Sequence, residues 1–130
     1  MKAFKSTLLF LLVSSVLFVS CEQKKGSNDT LITPAELNQA NKDILLIDVR
    51  TPEEYASGHI ENAVNIDFYA DNFQEQIEVL DRSQPVYVYC KKGGRSSNAA
   101  QKMKDMGFKS VYDLDGGILQ WEQEGFKTVK

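Results

Sequence analysis

Cys90-Lys91-Lys92-Gly93-Gly94-Arg95 is the stretch of this chain whose residue types and spacing suit covalent chemistry. The cysteine follows an apolar run, Pro85-Val86-Tyr87-Val88-Tyr89, and precedes a polar, alanine-containing segment with the character of a helix. A cysteine between a buried strand and a helix start is placed to become a thiolate. The loop offers backbone N–H groups, and the helix N-terminus offers the positive end of a dipole. The thiolate is the form of cysteine that attacks. No proline falls between Cys90 and Ser96, so every N–H of the loop is a donor. Gly93 and Gly94 permit backbone angles that let successive N–H groups converge on one point. Lys91, Lys92 and Arg95 add positive charge around it. The alternative is an inert core thiol, which cysteine often is. Such a thiol requires neither the glycine pair nor the neighbouring cations.

The basic loop stands against an acidic background. The chain of 130 residues has a formal net charge of −3 and no long basic run. That balance argues against a nucleic-acid surface and for a local anion site. A content of 42% hydrophobic and 25% charged residues is that of a globular protein, and the length suits a single domain. One cysteine and one histidine inside that domain do not make a tetrahedral ligand set, so no metal and no other cofactor is expected.

Residues 1–20 have a different character. Lys2 and Lys5 precede an apolar run over residues 8–19, interrupted only by Ser14 and Ser15. The run is short for a membrane span, which needs ~20 apolar residues, and it has the form of an export signal. Its end, Leu17-Phe18-Val19-Ser20-Cys21, resembles the lipobox of bacterial lipoproteins, with Phe18 where an aliphatic residue is usual. The resemblance implies that Cys21 is lipidated and becomes the new N-terminus. The chain would then be exported and anchored to a membrane in the periplasm or cell envelope. Ordinary cleavage or an uncleaved anchor, with Cys21 a bystander, is the alternative. Loss of Lys2 and Lys5 with the signal would take the net charge from −3 to −5. Residues 21–30 are polar and without periodicity, a flexible tether, and the domain occupies residues 31–130. With Cys21 lipidated, Cys90 has no intramolecular thiol partner; the alternative is a Cys21–Cys90 bridge in a compartment that permits disulfides.

The elements that must position the reactive loop follow in order. Thr33-Pro34-Ala35-Glu36 is a capped helix start with a capping box. Residues 44–49 form an apolar run with the pattern of a strand buried on both faces, ending at Asp48 and Arg50. Thr51 caps a short helix from Pro52 that Gly58 ends. Residues 63–66 are a second strand. Phe73, Ile77 and Leu80 mark one face of a helix over residues 71–80. Residues 86–89 are the strand that feeds the loop, and Ala99, Met103 and Met106 mark a helix over residues 96–106, ended by Gly107. Residues 110–112 are a further strand; Asp115-Gly116-Gly117 is a turn; residues 118–124, with Trp121, are a last helix. Alternating strands and helices predict an α/β fold, a parallel sheet with helices on both faces. Ligands of such sheets bind beyond the carboxyl ends of the strands, where Cys90, Asp48 and Arg50 lie.

From residue 32 onward the chain resembles a single-domain rhodanese, a sulfurtransferase. The residues that carry the resemblance are Ile47-Asp48-Val49-Arg50, Glu53-Glu54-Tyr55, Gly58-His59-Ile60, Ala63 with Asn65-Ile66, the loop from Cys90 to Ser96, and Gly116-Gly117 with Trp121. Glu61-Asn62 departs from the proline and glycine common in the family at that turn. The resemblance implies a central five-stranded parallel sheet. It also implies a mechanism in which Cys90 attacks the outer sulfur of a donor such as thiosulfate, holds a persulfide, and passes the sulfur to cyanide or a thiol. Carried onto this chain, the N–H groups of Lys91, Lys92, Gly93, Gly94 and Ser96 cradle the outer sulfur, and Arg95 closes the loop. Four residues separate Cys90 from Arg95. In related phosphatases and arsenate reductases that loop is one residue longer, and Tyr89 stands where the phosphatase motif has histidine.

Asp48, Arg50 and Glu54 are expected to support the site, with Arg50 paired to Glu54 and Asp48 bonding the turn. His59, the sole histidine, is expected to bond a local backbone group and to take no part in proton transfer. Trp121 is expected to pack beneath the active-site turn. A small sulfur-donor anion and a thiol acceptor are the expected partners, and a monomer the expected state. The alternative function is a non-catalytic or persulfide-carrying rhodanese-like module of the cell envelope.

Overall fold

Short apolar strands separated by capped helices bury both faces of a sheet only when they lie side by side with helices above and below. The computed structural model of the chain, which describes residues 30–40 and 43–130, has this arrangement. The expected export signal and Cys21 lie outside the described residues. The elements run β1 Thr30–Ile32, α1 Pro34–Gln39, β2 Leu45–Asp48, α2 Pro52–Ser57, β3 Val64–Asn65, α3 Phe73–Glu78, β4 Val86–Tyr89, α4 Gly94–Asp105, β5 Val111–Leu114 and α5 Gly117–Gln123. Among the described residues the five strands form one sheet in the order β1-β5-β4-β2-β3, and every strand pair is parallel.

Alternation along the strands divides the core in two. Ile47, Val86, Val88 and Val111 face α3 and α4 through Phe73, Ile77, Ala99, Ala100 and Met103. Leu46, Tyr89 and Leu114 face the other way, toward Leu37 of α1, Tyr55 of α2, and Ile118 and Trp121 of α5. The helix that leaves β2 and the helix that leaves β4 thus lie on opposite faces. These two strands are neighbours, and the chain departs from them in opposite directions, β2 to β3 and β4 to β5. The crevice outside their carboxyl ends is the switch point of the sheet, where ligands of such folds bind.

Helix boundaries follow their caps. Thr33 Oγ1 accepts from Glu36 N while the Glu36 carboxylate accepts from Thr33 N at 2.9 Å, the expected capping box. Thr51 and Glu54 repeat the device at the start of α2. At the end of α2 the chain turns through Gly58, and His59 and Val129 exchange both backbone hydrogen bonds at 2.9 and 2.8 Å, closing the C-terminal segment onto the domain.

Candidate active site

Cys90 stands immediately after β4, at the switch point, and only 2% of its surface is exposed. Val88 and Cys90 belong to the core under α3 and α4, and Tyr89 between them belongs to the opposite core, so the loop's first residue is held by strand alternation. Gly93, at φ +121°, turns the chain back so that its own N–H donates to Cys90 Sγ at 3.1 Å. Ser96, in the first turn of α4, is fully buried, and its hydroxyl donates its one proton to the Gly93 carbonyl at 3.2 Å beside the neutral thiol and turns it to the sulfur as the thiolate forms. Burial pushes the Cys90 thiol up. The Ser96 hydroxyl and the N–H groups of Ser96, Gly93 and Lys92 act against burial and outweigh it, so the thiol is more acidic than an ordinary cysteine. Lys91 and Lys92 extend into solvent at the mouth of the loop.

The ion pairs differ from the sequence expectation. Glu54 does not pair with Arg50. Its carboxylate takes two bonds from Arg95, at 2.6 and 2.9 Å, and its Oε2 also caps α2 at Thr51 N. The reason is position: Glu54 lies in the first turn of α2 and Arg95 in the first turn of α4, and both turns begin at the switch point. The Arg95 bond holds the Glu54 carboxyl at about 2, well below the usual carboxylate range, and the same bond makes Arg95 a still weaker acid than an ordinary guanidinium. Arg95 therefore braces the loop against α2 and lies over the Tyr69 ring, 6.0 Å from its centroid.

Arg50 pairs instead with Asp48. Both lie on the same side of the chain where β2 ends, two residues apart. The guanidinium meets the Asp48 carboxylate at 2.6 to 3.1 Å and also donates to the Gly58 carbonyl at 2.7 Å. Asp48 accepts from Arg50 N at 3.0 Å as well, so the expected bond to the turn is present. Both residues are buried. The Tyr89 hydroxyl, buried beside Asp48, accepts from Ile60 N at 3.0 Å, and burial and then the Asp48 charge raise its pKa far above that of an ordinary phenol. The Asp48–Arg50 pair is thus a pillar behind the loop, with no contact to the sulfur.

His59 Nδ1 lies 3.0 Å from the Tyr55 carbonyl and its ring stacks on Tyr55, in line with the local role expected for it. Trp121 is buried and its Nε1–H donates to the Lys127 carbonyl. Among the described residues no group of three or more His, Cys, Asp or Glu side chains is placed to hold a metal ion. Sequence reasoning treated Ser96 as a backbone donor only and missed its hydroxyl. It also read Gly116-Gly117 as a plain turn, although Gly117 packs directly against the loop.

Fold and site together define a class: a doubly wound α/β domain with a buried cysteine, its pKa lowered by the loop's own hydrogen-bond donors, at the head of a short loop at the switch point. Residues 33–124 match the rhodanese-like domain family, and the chain belongs to that family. Thiosulfate sulfurtransferase GlpE of Coxiella burnetii is 40% identical over 81 residues, covering 62% of this chain and 74% of that protein. A tRNA uridine(34) hydroxylase of Pectobacterium carotovorum is 33% identical over 116 residues, covering 76% of this chain and 32% of that one, so family resemblance does not fix one activity. Among solved structures, a rhodanese-related protein of Thermoplasma volcanium superposes with a TM-score of 0.70 at 32% identity, covering 77% of this chain and 97% of that one.

Proposed function

We propose that the chain is a sulfurtransferase that carries sulfane sulfur as a Cys90 persulfide. The observation that supports this reading best is the Gly93 N–H aimed at Cys90 Sγ at 3.1 Å, in a loop whose hydrogen-bond donors outweigh burial and favour the thiolate. In the first half-reaction the Cys90 thiolate attacks the outer sulfur of thiosulfate. A Cys–S–S⁻ bond forms, the S–S bond of the donor breaks, and its electron pair leaves with sulfite. In the second, an acceptor thiolate attacks the terminal sulfur, a new persulfide forms on the acceptor, and the electron pair of the broken S–S bond returns to Cys90. No proton acceptor is needed at either step when the attacking groups are already ionised. The loop N–H groups face the negative charge of the terminal sulfur, and Lys91 and Lys92 draw the donor anion.

Incubation of the purified chain with thiosulfate, without reductant, should add the mass of one sulfur atom, removable by a thiol and absent in Cys90→Ser. Sulfur transfer retained by Cys90→Ser would overturn the mechanism. No mass gain on a Cys90 that still alkylates would exclude thiosulfate and point to a different donor or to the non-catalytic binding module.

We also propose that residues 1–20 direct export and that Cys21 carries lipid, holding residues 31–130 at a membrane of the cell envelope on a short tether. The succession of basic, apolar and small residues before Cys21 supports this reading. Labelled palmitate should enter the parent protein in its host and not Cys21→Ala; equal labelling of both would overturn it.

A further inference from the structure

The loop that holds the sulfur has a second side, turned away from the sulfur and toward α5. There the Ile118 N–H donates to the Cys90 carbonyl at 2.9 Å and the Leu119 N–H donates to the Lys91 carbonyl at 3.2 Å. Among the described residues no peptide bond is cis. In a trans peptide the C=O and the N–H that follows it point in opposite directions. Carbonyls of Cys90 and Lys91 that are fixed on α5 therefore turn the N–H groups of Lys91 and Lys92 to the other side. That is the side of the sulfur, where the Lys92 N–H acts on the thiol.

Contact this close depends on Gly117. It sits at φ +60°, and a Cβ there would lie 2.5 Å from the Lys91 carbonyl oxygen and 2.6 Å from the Cys90 carbonyl oxygen. Both obstacles are backbone and cannot swing aside. Gly116 differs, since a Cβ on it would press on the Cβ of Gln120 within α5, at 2.5 Å, and not on the loop. We infer that Gly117 is a positioning residue for the sulfur site: its missing side chain lets the α5 amides hold the Cys90 and Lys91 carbonyls and so aim the loop N–H groups at the cysteine sulfur. This inference rests on Cys90 being the reactive thiol. It goes beyond that reading in assigning the orientation of the cradle to α5, which holds the loop by its backbone carbonyls.

Gly125 supplies a matched control. It too has a positive φ, +85°, and a Cβ on it would meet nothing within 4 Å. Gly117→Ala and Gly125→Ala thus place a side chain in the same disfavoured region of backbone space, and only the first presses on the loop. Both leave the charged groups around the site in place: Lys91, Lys92, Arg95, Glu54 behind Arg95, and Asp115 ahead of α5. The rate of iodoacetamide alkylation of Cys90 is followed against pH in the full chain and in each variant, and the midpoint is compared rather than the plateau, because the plateau reports access. Gly117→Ala should raise the midpoint by roughly half a unit to one unit, slowing alkylation near neutral pH about three- to tenfold. Gly125→Ala should keep the parental midpoint. Coincident midpoints in all three proteins, or an equal rise in both variants, would overturn the inference.

If Gly117→Ala does not fold, the unaltered chain provides the test by amide NMR. The Ile118 and Leu119 amides should exchange slowly with solvent, although first-turn helical amides ordinarily exchange freely, and the Lys92 amide signal should titrate with Cys90. Rapid exchange at Ile118 and Leu119, or a Lys92 signal that ignores Cys90, would overturn the inference. Alkylation midpoints do not depend on any sulfur donor. Failure of sulfur uptake from thiosulfate would therefore leave this test unaffected, and the two readings can fail separately.

Discussion

Replacement of Glu54 by glutamine keeps the shape of the side chain and removes its charge. The two Arg95 bonds at 2.6 and 2.9 Å join side chains that are 18% and 30% exposed, so the pair is partly shielded but not buried. Exposed pairs are worth ~0.2–1 kcal/mol, and hydrogen bonds to charged groups up to about 3 kcal/mol. Glutamine retains an acceptor for Thr51 N and for one Arg95 nitrogen. The expected loss is therefore about 1 kcal/mol, or a fall in Tm of roughly 4–8 °C for a domain of this size. The pH dependence is the sharper part. In the folded state the Glu54 carboxyl is held at about 2, against an ordinary value of 4.5. A carboxyl whose pKa is lowered by folding stabilises fully above its unfolded value, and that stabilisation fades as pH falls toward the folded value. The Tm difference between parent and Glu54→Gln should hold from about pH 7 to about pH 5 and shrink to roughly half or less at about pH 3. Thermal melts followed by circular dichroism across that range decide it. A difference as large at about pH 3 as at about pH 7, or none at neutral pH, would refute the reasoning that Arg95 is braced by an ionised Glu54.

Ser96→Ala should raise the midpoint of Cys90 alkylation toward the ordinary thiol value of 9.0, because the hydroxyl is the strongest of the groups that oppose burial. The Gly93 carbonyl keeps its bond from Ser97 N at 3.0 Å, so the fold should survive, and an unmoved midpoint would exclude the hydroxyl. Asp48→Ala should cost about 3–5 kcal/mol in urea unfolding, since it strands the buried Arg50 guanidinium without its counter-charge; a loss below about 1 kcal/mol would mean that the pair does not brace the switch point.

Much of this arrangement was legible in the sequence wherever the signal is local. Thr33-Pro34-Ala35-Glu36 and Thr51-Pro52-Glu53-Glu54 announce helix starts by side chains that bond their own turn. The apolar run before Cys90, followed by two glycines, announces the strand, loop and helix that position the thiol. What stayed hidden depends on contacts distant in sequence. β1 is a three-residue edge strand with no periodicity of its own, and it exists because Thr30 to Ile32 find a register beside Tyr112 to Leu114. The partner of Glu54 was misread because Arg50 is near in sequence, whereas Arg95, 41 residues away, is near in space. Gly117 was read as a turn because nothing in its neighbours tells that the Lys91 carbonyl lies against it. The sequence patterns that remain visible are those in which one turn of chain satisfies itself.

The strand order has a consequence for the chain's motions. β4 is the middle strand of the five, paired on both sides and covered on both faces. Strands of this kind open only with the whole domain, whereas edges and termini open locally at little cost in free energy. The reactive loop is thus mounted on the slowest-opening segment of the fold, while the edge strands β1 and β3 absorb fluctuation. Hydrogen exchange at the Val88 and Tyr89 amides should report the global unfolding free energy. Heat should return the Cys90 titration midpoint to that of an ordinary thiol and abolish tertiary structure together, in one transition, with no earlier melting of the site.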